Sequence, residues 1–225
     1  MHRGYLATHR AYELCGIFAT STTGVLLALR LAAQGPLPLW WFPVALALGV
    51  LGADLVSGIV HWGFDTWGEL DTPFVGKLAI RAFREHHADP TAMLHHDFVE
   101  TNGHNFMLAL ALTTGGLWLV PATDASAFSS FLGTFLVCMA ICVAFTSQIH
   151  KWAHMPRPPR IVMYLQRARL LLSPAHHQHH HDAPHRQNYC ITAGWLDGLF
   201  RVTRAFERVE RHIERATGIV PHTEP

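Results

Sequence analysis

Four long apolar stretches interrupt an otherwise polar chain, at residues 11–33, 40–60, 106–122 and 128–149. Each approaches the roughly 20 residues that a helix needs to cross a bilayer. Their spacing predicts two helical hairpins. The first pair is joined by Gln34-Gly35-Pro36-Leu37-Pro38-Leu39 and the second by residues 123–127, both too small to be domains and both punctuated as turns. The expected fold class is all-α: an integral membrane four-helix transmembrane bundle with a cytoplasmic His-rich cap domain. It forms a single membrane domain over residues 1–225, with polar segments 61–105 and 150–225 beneath the bundle.

Basic residues orient this arrangement, because Lys and Arg accumulate in cytoplasmic segments. Sixteen of the 17 fall on one side: Arg3 and Arg10, then Lys77, Arg81 and Arg84, then all eleven from Lys151 to Arg215; Arg30 alone lies near the opposite face. Both termini and the 62–105 loop are therefore predicted cytoplasmic. The first apolar run follows Arg3 and Arg10 as a signal peptide would, but it is long and lacks a clear cleavage site, so an uncleaved first span is expected. Near the end, Phe206, Val209 and Ile213 recur at helical spacing among alternating Arg and Glu, which predicts an amphipathic helix over 198–217.

Composition sharpens the picture. Half of the residues are hydrophobic, 15% are charged, and the mean hydropathy is +0.17, whereas ordinary soluble domains carry about 25% charged residues. The net charge of +1 leaves no positive excess for a nucleic-acid backbone. Cys15, Cys138, Cys142 and Cys190 are scattered, three of them in apolar runs, and are expected to be free thiols. No GxGxxG or GxxxxGK[ST] sequence is present, so no nucleotide site is assigned.

The unusual number is 18 histidines, more than Lys and Arg together. None lies in either short turn. His61 and Asp65 close the second span at i, i+4 spacing, which places both on one helical face. His150 and His154 close the fourth span in the same way. Between them lie Glu85-His86-His87, His95-His96-Asp97 and Gly103-His104. Adjacent histidines project about 100° apart on a helix, so His86 and His87 suit two neighbouring metals. The densest segment, 176–185, contains His176 and an HxxHH pattern formed by His177, His180 and His181, three imidazoles on one stripe. Asp54, seven residues before His61, either orients a ligand imidazole or is a satisfied structural carboxylate.

Counting separates the candidate metals. One zinc takes three or four protein ligands and would leave most of these residues idle. HExxH and the inward Glu-x-x-His pairs of soluble di-iron bundles are absent. A set of imidazoles with one carboxylate, nine or ten in number, suits two iron ions. A pH-sensing cluster is disfavoured, since protonating so many neighbours is repulsive. Two irons at a membrane face point to oxygen activation on a lipid.

These residues also carry a resemblance. His61-Trp62-Gly63-Phe64-Asp65-Thr66-Trp67-Gly68, Arg84-Glu85-His86-His87 with Asp89-Pro90-Thr91, and the stretch from His96 to Gly103 are similar to the plasmanylethanolamine desaturase (CarF-like) family. So are Gln148-Ile149-His150-Lys151-Trp152-Ala153-His154 and the run from His176 through His185 to Tyr189-Cys190-Ile191-Thr192. Plastid palmitoyl-phosphatidylglycerol desaturases are its more distant relatives, and the resemblance covers roughly residues 49–195. It implies a membrane enzyme that turns the alkyl ether of a plasmanyl phospholipid into the vinyl ether of a plasmalogen, consuming O2 and two electrons.

The family's iron ligands would fall on His61, His86, His87, His150, His154, His177, His180 and His181, with Asp65 where other desaturases have histidine. His96 and His176 match the ether-lipid branch. His104 stands where the animal enzyme has an aspartate, which leaves a ligand or a merely polar residue there. His95 and His179 are additional.

Several expectations follow from that chemistry. A C–H bond beside an ether oxygen is too weakly acidic for a side-chain base, so the two irons with O2 are required, and the protein holds the chain and excludes water. Lys151, Arg157 and Arg160 either meet the lipid phosphate or serve only to orient the protein. With no flavin or nicotinamide fingerprint, the electrons come from a b-type cytochrome or a ferredoxin. The implied location is the inner membrane if the source is bacterial, and the endoplasmic reticulum if it is eukaryotic. Acyl-chain desaturation or hydroxylation on the same scaffold is the nearest alternative. A metal transporter would need ionisable residues along the spans, where only Glu13, Arg30 and Asp54 occur.

Overall fold

The computed structural model describes residues 7–35, 38–73, 75–76, 80–123 and 126–222. Among these it is all-helical, with no strand. Arg3 and Lys77, and residues 36–37 and 124–125 of the two turns, lie outside the described residues. Among the described residues three helices are long and apolar enough to cross a membrane: α1 (Ala7–Ala33), α2 (Trp41–Thr66) and α5 (Ala127–His154). Pro43 sits in the first turn of α2, where its missing N–H breaks no intrahelical bond.

The predicted third span, 106–122, is helical but differs in extent. It forms the second half of α4 (Phe98–Leu119), which Asp97 caps by accepting the Val99 and Glu100 amides at 2.9 and 3.0 Å. The extension brings Glu100, Asn102, His104 and Asn105 into the helix. That polar first half keeps α4 out of the set of three spanning candidates.

The chain divides into two compact units. The first comprises residues 1–53 and 96–148. In it α1 runs along α4: the Thr20 hydroxyl donates to the Phe106 carbonyl at 2.5 Å, and Thr23 and Thr113 share a hydrogen bond of 2.7 Å. At Gly103 the backbones approach so closely that a Cβ would sit on the Glu13 side chain and 3.0 Å from its Cα. Small residues permit such contact between helices in lipid, where burial itself supplies little drive. Ala53, Phe106, Ala109, Ala140, Val143 and Ala144 form this unit's core.

The second unit comprises residues 54–95 and 149–225. Short helices follow one another in it: α3 (Arg81–Ala88), a 3₁₀ turn (Ala92–His95), α6 (Arg160–Arg167) and α7 (Pro174–His181). α7 begins where Ser173 accepts the His176 amide at 3.2 Å, with Pro174 at the first helical position. Ile149, Ala153, Leu172 and Ile191 form its apolar core.

The amphipathic helix expected over 198–217 is in fact two, α8 (Asp197–Thr203) and α9 (Ala205–Thr217). They break at Arg204, whose φ of 50° is left-handed and cannot continue an α-helix. After the break, Phe206 stacks on Trp62 with ring centroids 5.0 Å apart and touches Tyr189 and Phe200.

Candidate metal centre

The last two turns of α2, α3, the end of α5 and α7 each deliver donors within the second unit, and those donors form two groups. His86, His150, His154, His177 and His181 make the first; His61, Asp65, His87 and His180 make the second. Within each group, one donor atom per residue lies within 4.8 Å of every other. Two nitrogens on opposite sides of one first-row metal are about 4.2 Å apart, so each group has the dimensions of a single-ion site.

Helical spacing explains the sorting. His150 and His154 stand one turn apart and both enter the first group, as do His177 and His181; His61 and Asp65 both enter the second. His86 and His87 are adjacent and diverge, one to each group. The HxxHH stripe splits too, because His180 is three residues after His177 but turns to the second group.

In the first group, His150 Nε2 lies 2.7 Å from His177 Nε2, 3.1 Å from His86 Nε2 and 3.2 Å from His154 Nε2. His177 Nε2 is also 3.0 Å from the Nε2 atoms of His154 and His181. In the second, His87 and His180 bring their Nε2 atoms to 3.0 Å, and Asp65 Oδ2 lies 3.4 to 3.6 Å from those of His61, His87 and His180.

The opposite ring edges fix which nitrogen carries the proton. His61 Nδ1 donates to the Tyr189 carbonyl at 3.1 Å and His180 Nδ1 to the Gln187 carbonyl at 2.9 Å, so their Nε2 lone pairs are the ones turned inward. His61 Nε2 is buried with no hydrogen-bond partner among the described residues. His61, His177 and His180 are at most 1% exposed. The inward lone pairs of His61 and His180 are buried beside the Asp65 carboxylate, an arrangement that a cation would stabilise. The residues therefore fit metal ions as their resident group.

Electrostatics agree outside the spanning helices. Burial, reinforced by neighbouring imidazoles, lowers the His86 pKa to about 2 and that of His181 to about 3. It holds His177 and His180 well below the usual imidazole range. All four are neutral near pH 7, the ligand form. Burial and the Asp65 carboxylate push the Tyr189 phenol up, and burial does the same to the Cys190 thiol, one of four free cysteines.

Nine of the twelve expected ligands thus converge, and three do not. His176 Nε2 sits 2.7 Å from Asp197 Oδ2, His104 Nδ1 3.1 Å from the buried Glu13 carboxylate, and His96 Nε2 3.8 Å from Glu100. Among the described residues Asp54 meets no imidazole: its carboxylate accepts the backbone amides of Ala193, Gly194 and Trp195.

Sequence reasoning also missed several supports. Glu210, buried on α9, accepts the Trp62 indole N–H at 2.9 Å and pairs with Arg186. The His185 ring stacks on His87 at 4.6 Å, and Tyr189 lies against both His61 and His180. The Arg and Glu alternation in the last helix held a signal for Glu210, since Glu210 and Phe206 share one face at i, i+4. Nothing local marked the carbonyls of Gln187 and Tyr189.

Long apolar helices together with a buried polyhistidine cluster that could hold metal define a class, the histidine-rich membrane proteins. Residues 50–224 match the lipid desaturase domain, and the chain belongs to that family of oxidoreductases. It is 42% identical over 220 residues to plasmanylethanolamine desaturase of Myxococcus xanthus, covering 97% of this chain and 77% of that protein. It is 42% identical over 179 residues to mouse plasmanylethanolamine desaturase 1, covering 78% and 66% of the two chains. Chloroplastic fatty acid desaturase 4 of Arabidopsis thaliana is 36% identical over 177 residues, covering 78% and 52%. No solved structure matches the chain.

Proposed function

We propose that the protein is a membrane-bound di-iron desaturase that converts the alkyl ether of plasmanylethanolamine into the vinyl ether of a plasmalogen. Two hydrogens leave C1 and C2 of the ether chain, while O2, two electrons and two protons become two waters. The observation that carries this reading is the pair of adjoining donor groups, one of five imidazoles and one of three imidazoles with Asp65, in a chain 42% identical to two plasmanylethanolamine desaturases. Iron bound in both groups would supply the oxidising power that a side-chain base lacks.

The chain's own residues prepare that site. His61 and His180 are held by backbone carbonyls with Nε2 inward, so the donors need little rearrangement to bind. Asp65 adds one negative charge to the second group and none is added to the first, which makes the two sites electrically unequal. His176, held by Asp197 within the second unit, belongs in this reading to the surroundings of the centre, and His96 and His104 of the first unit are given no ligand role. The exposed Arg157 and Arg160 suit the lipid phosphate.

In the same reading α4 is a fourth span, and the two units are parts of one desaturase domain with its His-rich cap on the cytoplasmic side. That places a bacterial protein in the inner membrane and a eukaryotic one in the endoplasmic reticulum. A b-type cytochrome or ferredoxin delivers the electrons.

The fatty acid desaturase relative favours acyl-chain desaturation as a second reading. Expression in a plasmalogen-free host supplied with an alkyl-ether lipid separates the two. Acid-labile vinyl ether from the wild type and none from His180→Ala supports the proposal. A new acyl double bond, or vinyl ether from both proteins, contradicts it.

A further inference from the structure

The stripe of α2 that supplies His61 and Asp65 does a second job. Asp54, Ser57 and Gly58 lie seven, four and three residues before His61 on that stripe. Asp54 is fully buried, and its carboxylate accepts three consecutive amides, from Ala193 at 2.7 Å, Gly194 at 3.1 Å and Trp195 at 2.6 Å. Gly194 permits this curl through its φ of +76°.

The tie continues along the chain. The Ile191 amide donates to the Ser57 hydroxyl at 3.2 Å, the Cys190 amide to Asp197 at 3.1 Å, and the Thr192 carbonyl accepts from the Leu172 amide at 2.9 Å. Each residue from 190 to 195 is thereby held by its backbone. Gly58 lets the segment lie close, since a Cβ there would stand 2.9 Å from Cys190 Sγ. Directly upstream are the carbonyls of Tyr189 and Gln187, which take the Nδ1 protons of His61 and His180.

We infer that Asp54 is a positioning residue for the second donor group, clamping the 187–195 segment against α2 so that its two carbonyls aim His61 and His180. The inference rests on the reading of the two groups as metal sites. It makes the second site dependent on Asp54. The first has no residue whose Nδ1 is tied to this segment, and His177 and His181 have Nδ1 atoms with no hydrogen-bond partner among the described residues.

The test is anaerobic Fe(II) titration of the full chain in detergent, comparing wild type, Asp54→Asn and Ser57→Ala, with the second site assigned as the one that His87→Ala weakens. Asp54→Asn keeps the volume but puts a donor where the carboxylate accepted amides. It is expected to weaken the second site by about 10- to 100-fold, the usual effect of losing a group that orients a metal ligand, while the first stays within about twofold. Ser57→Ala, which gives up the Ile191 tie and the hydroxyl's own bond to the Asp54 carbonyl at 3.1 Å, should weaken the second site severalfold. Unchanged binding in both variants, or equal weakening of both sites, overturns the inference. Should Asp54→Asn fail to fold, Ser57→Ala decides alone: selective weakening supports the clamp, and no change or loss at both sites overturns it. A wild type that binds no metal overturns the metal reading itself, and the clamp with it.

Discussion

Alanine at His86 and at His87, neighbours in α3, should have unequal consequences because each serves a different group. His87→Ala leaves the second group with His61, Asp65 and His180; His86→Ala leaves the first with four imidazoles, a full tetrahedral set. A four-ligand structural zinc site binds with about 10–16 kcal/mol, which is about 2.5–4 kcal/mol per ligand. That corresponds to a factor of about 10² to 10³ in affinity for each donor lost. His87→Ala should therefore lose that much at one site. His86→Ala, still able to complete a four-coordinate shell, should lose at most about tenfold, and at the other site. Anaerobic Fe(II) titration of the purified variants, fitted to two sites, reads both numbers. Equal losses, or losses at the same site, would refute the two-group assignment.

Other consequences are independent of the metal. Gly103→Ala must separate α1 from α4 and should cost about 1–3 kcal/mol, whereas Gly115→Ala, with nothing within 4 Å of the added Cβ, should be close to neutral; unfolding in mixed micelles compares them. Trp62→Phe removes a charge-assisted bond to the buried Glu210 and should cost about 1.5–3 kcal/mol, while a thermal melt indistinguishable from wild type would show that Arg186 alone satisfies that carboxylate. The metal-free protein should lose stability as pH falls below about 6.5. His86 and His181 resist protonation in the fold until about pH 2 and 3, so between those limits the unfolded chain binds more protons. A melting temperature that holds steady from pH 7 to 5 would contradict their burial as neutral groups.

The apolar runs and histidine spacings were legible because they are local. A run of about 20 apolar residues, or an i, i+4 pair, declares itself wherever the chain later goes. The three spanning candidates and the i, i+4 pairs of α2 and α5 follow from such patterns. What stayed hidden depended on distant partners. Asp54 binds a segment about 140 residues away in sequence, and its choice between an imidazole and a backbone curl is settled only by the fold. The break at Arg204 interrupts an unbroken helical pattern and goes with the packing of the half-buried Phe206 on Trp62 and Phe200, partners that only the fold supplies. His96, His104 and His176 look no different in sequence from the eight converging histidines, yet each lies against a carboxylate that belongs to neither group.

Metal analysis of the purified wild-type chain tests the central claim most directly. Two irons per chain, with a spectroscopic signature of imidazole coordination that His180→Ala alters, is the expected result. Zinc at a single site, or lipid desaturation by protein free of metal, would contradict it.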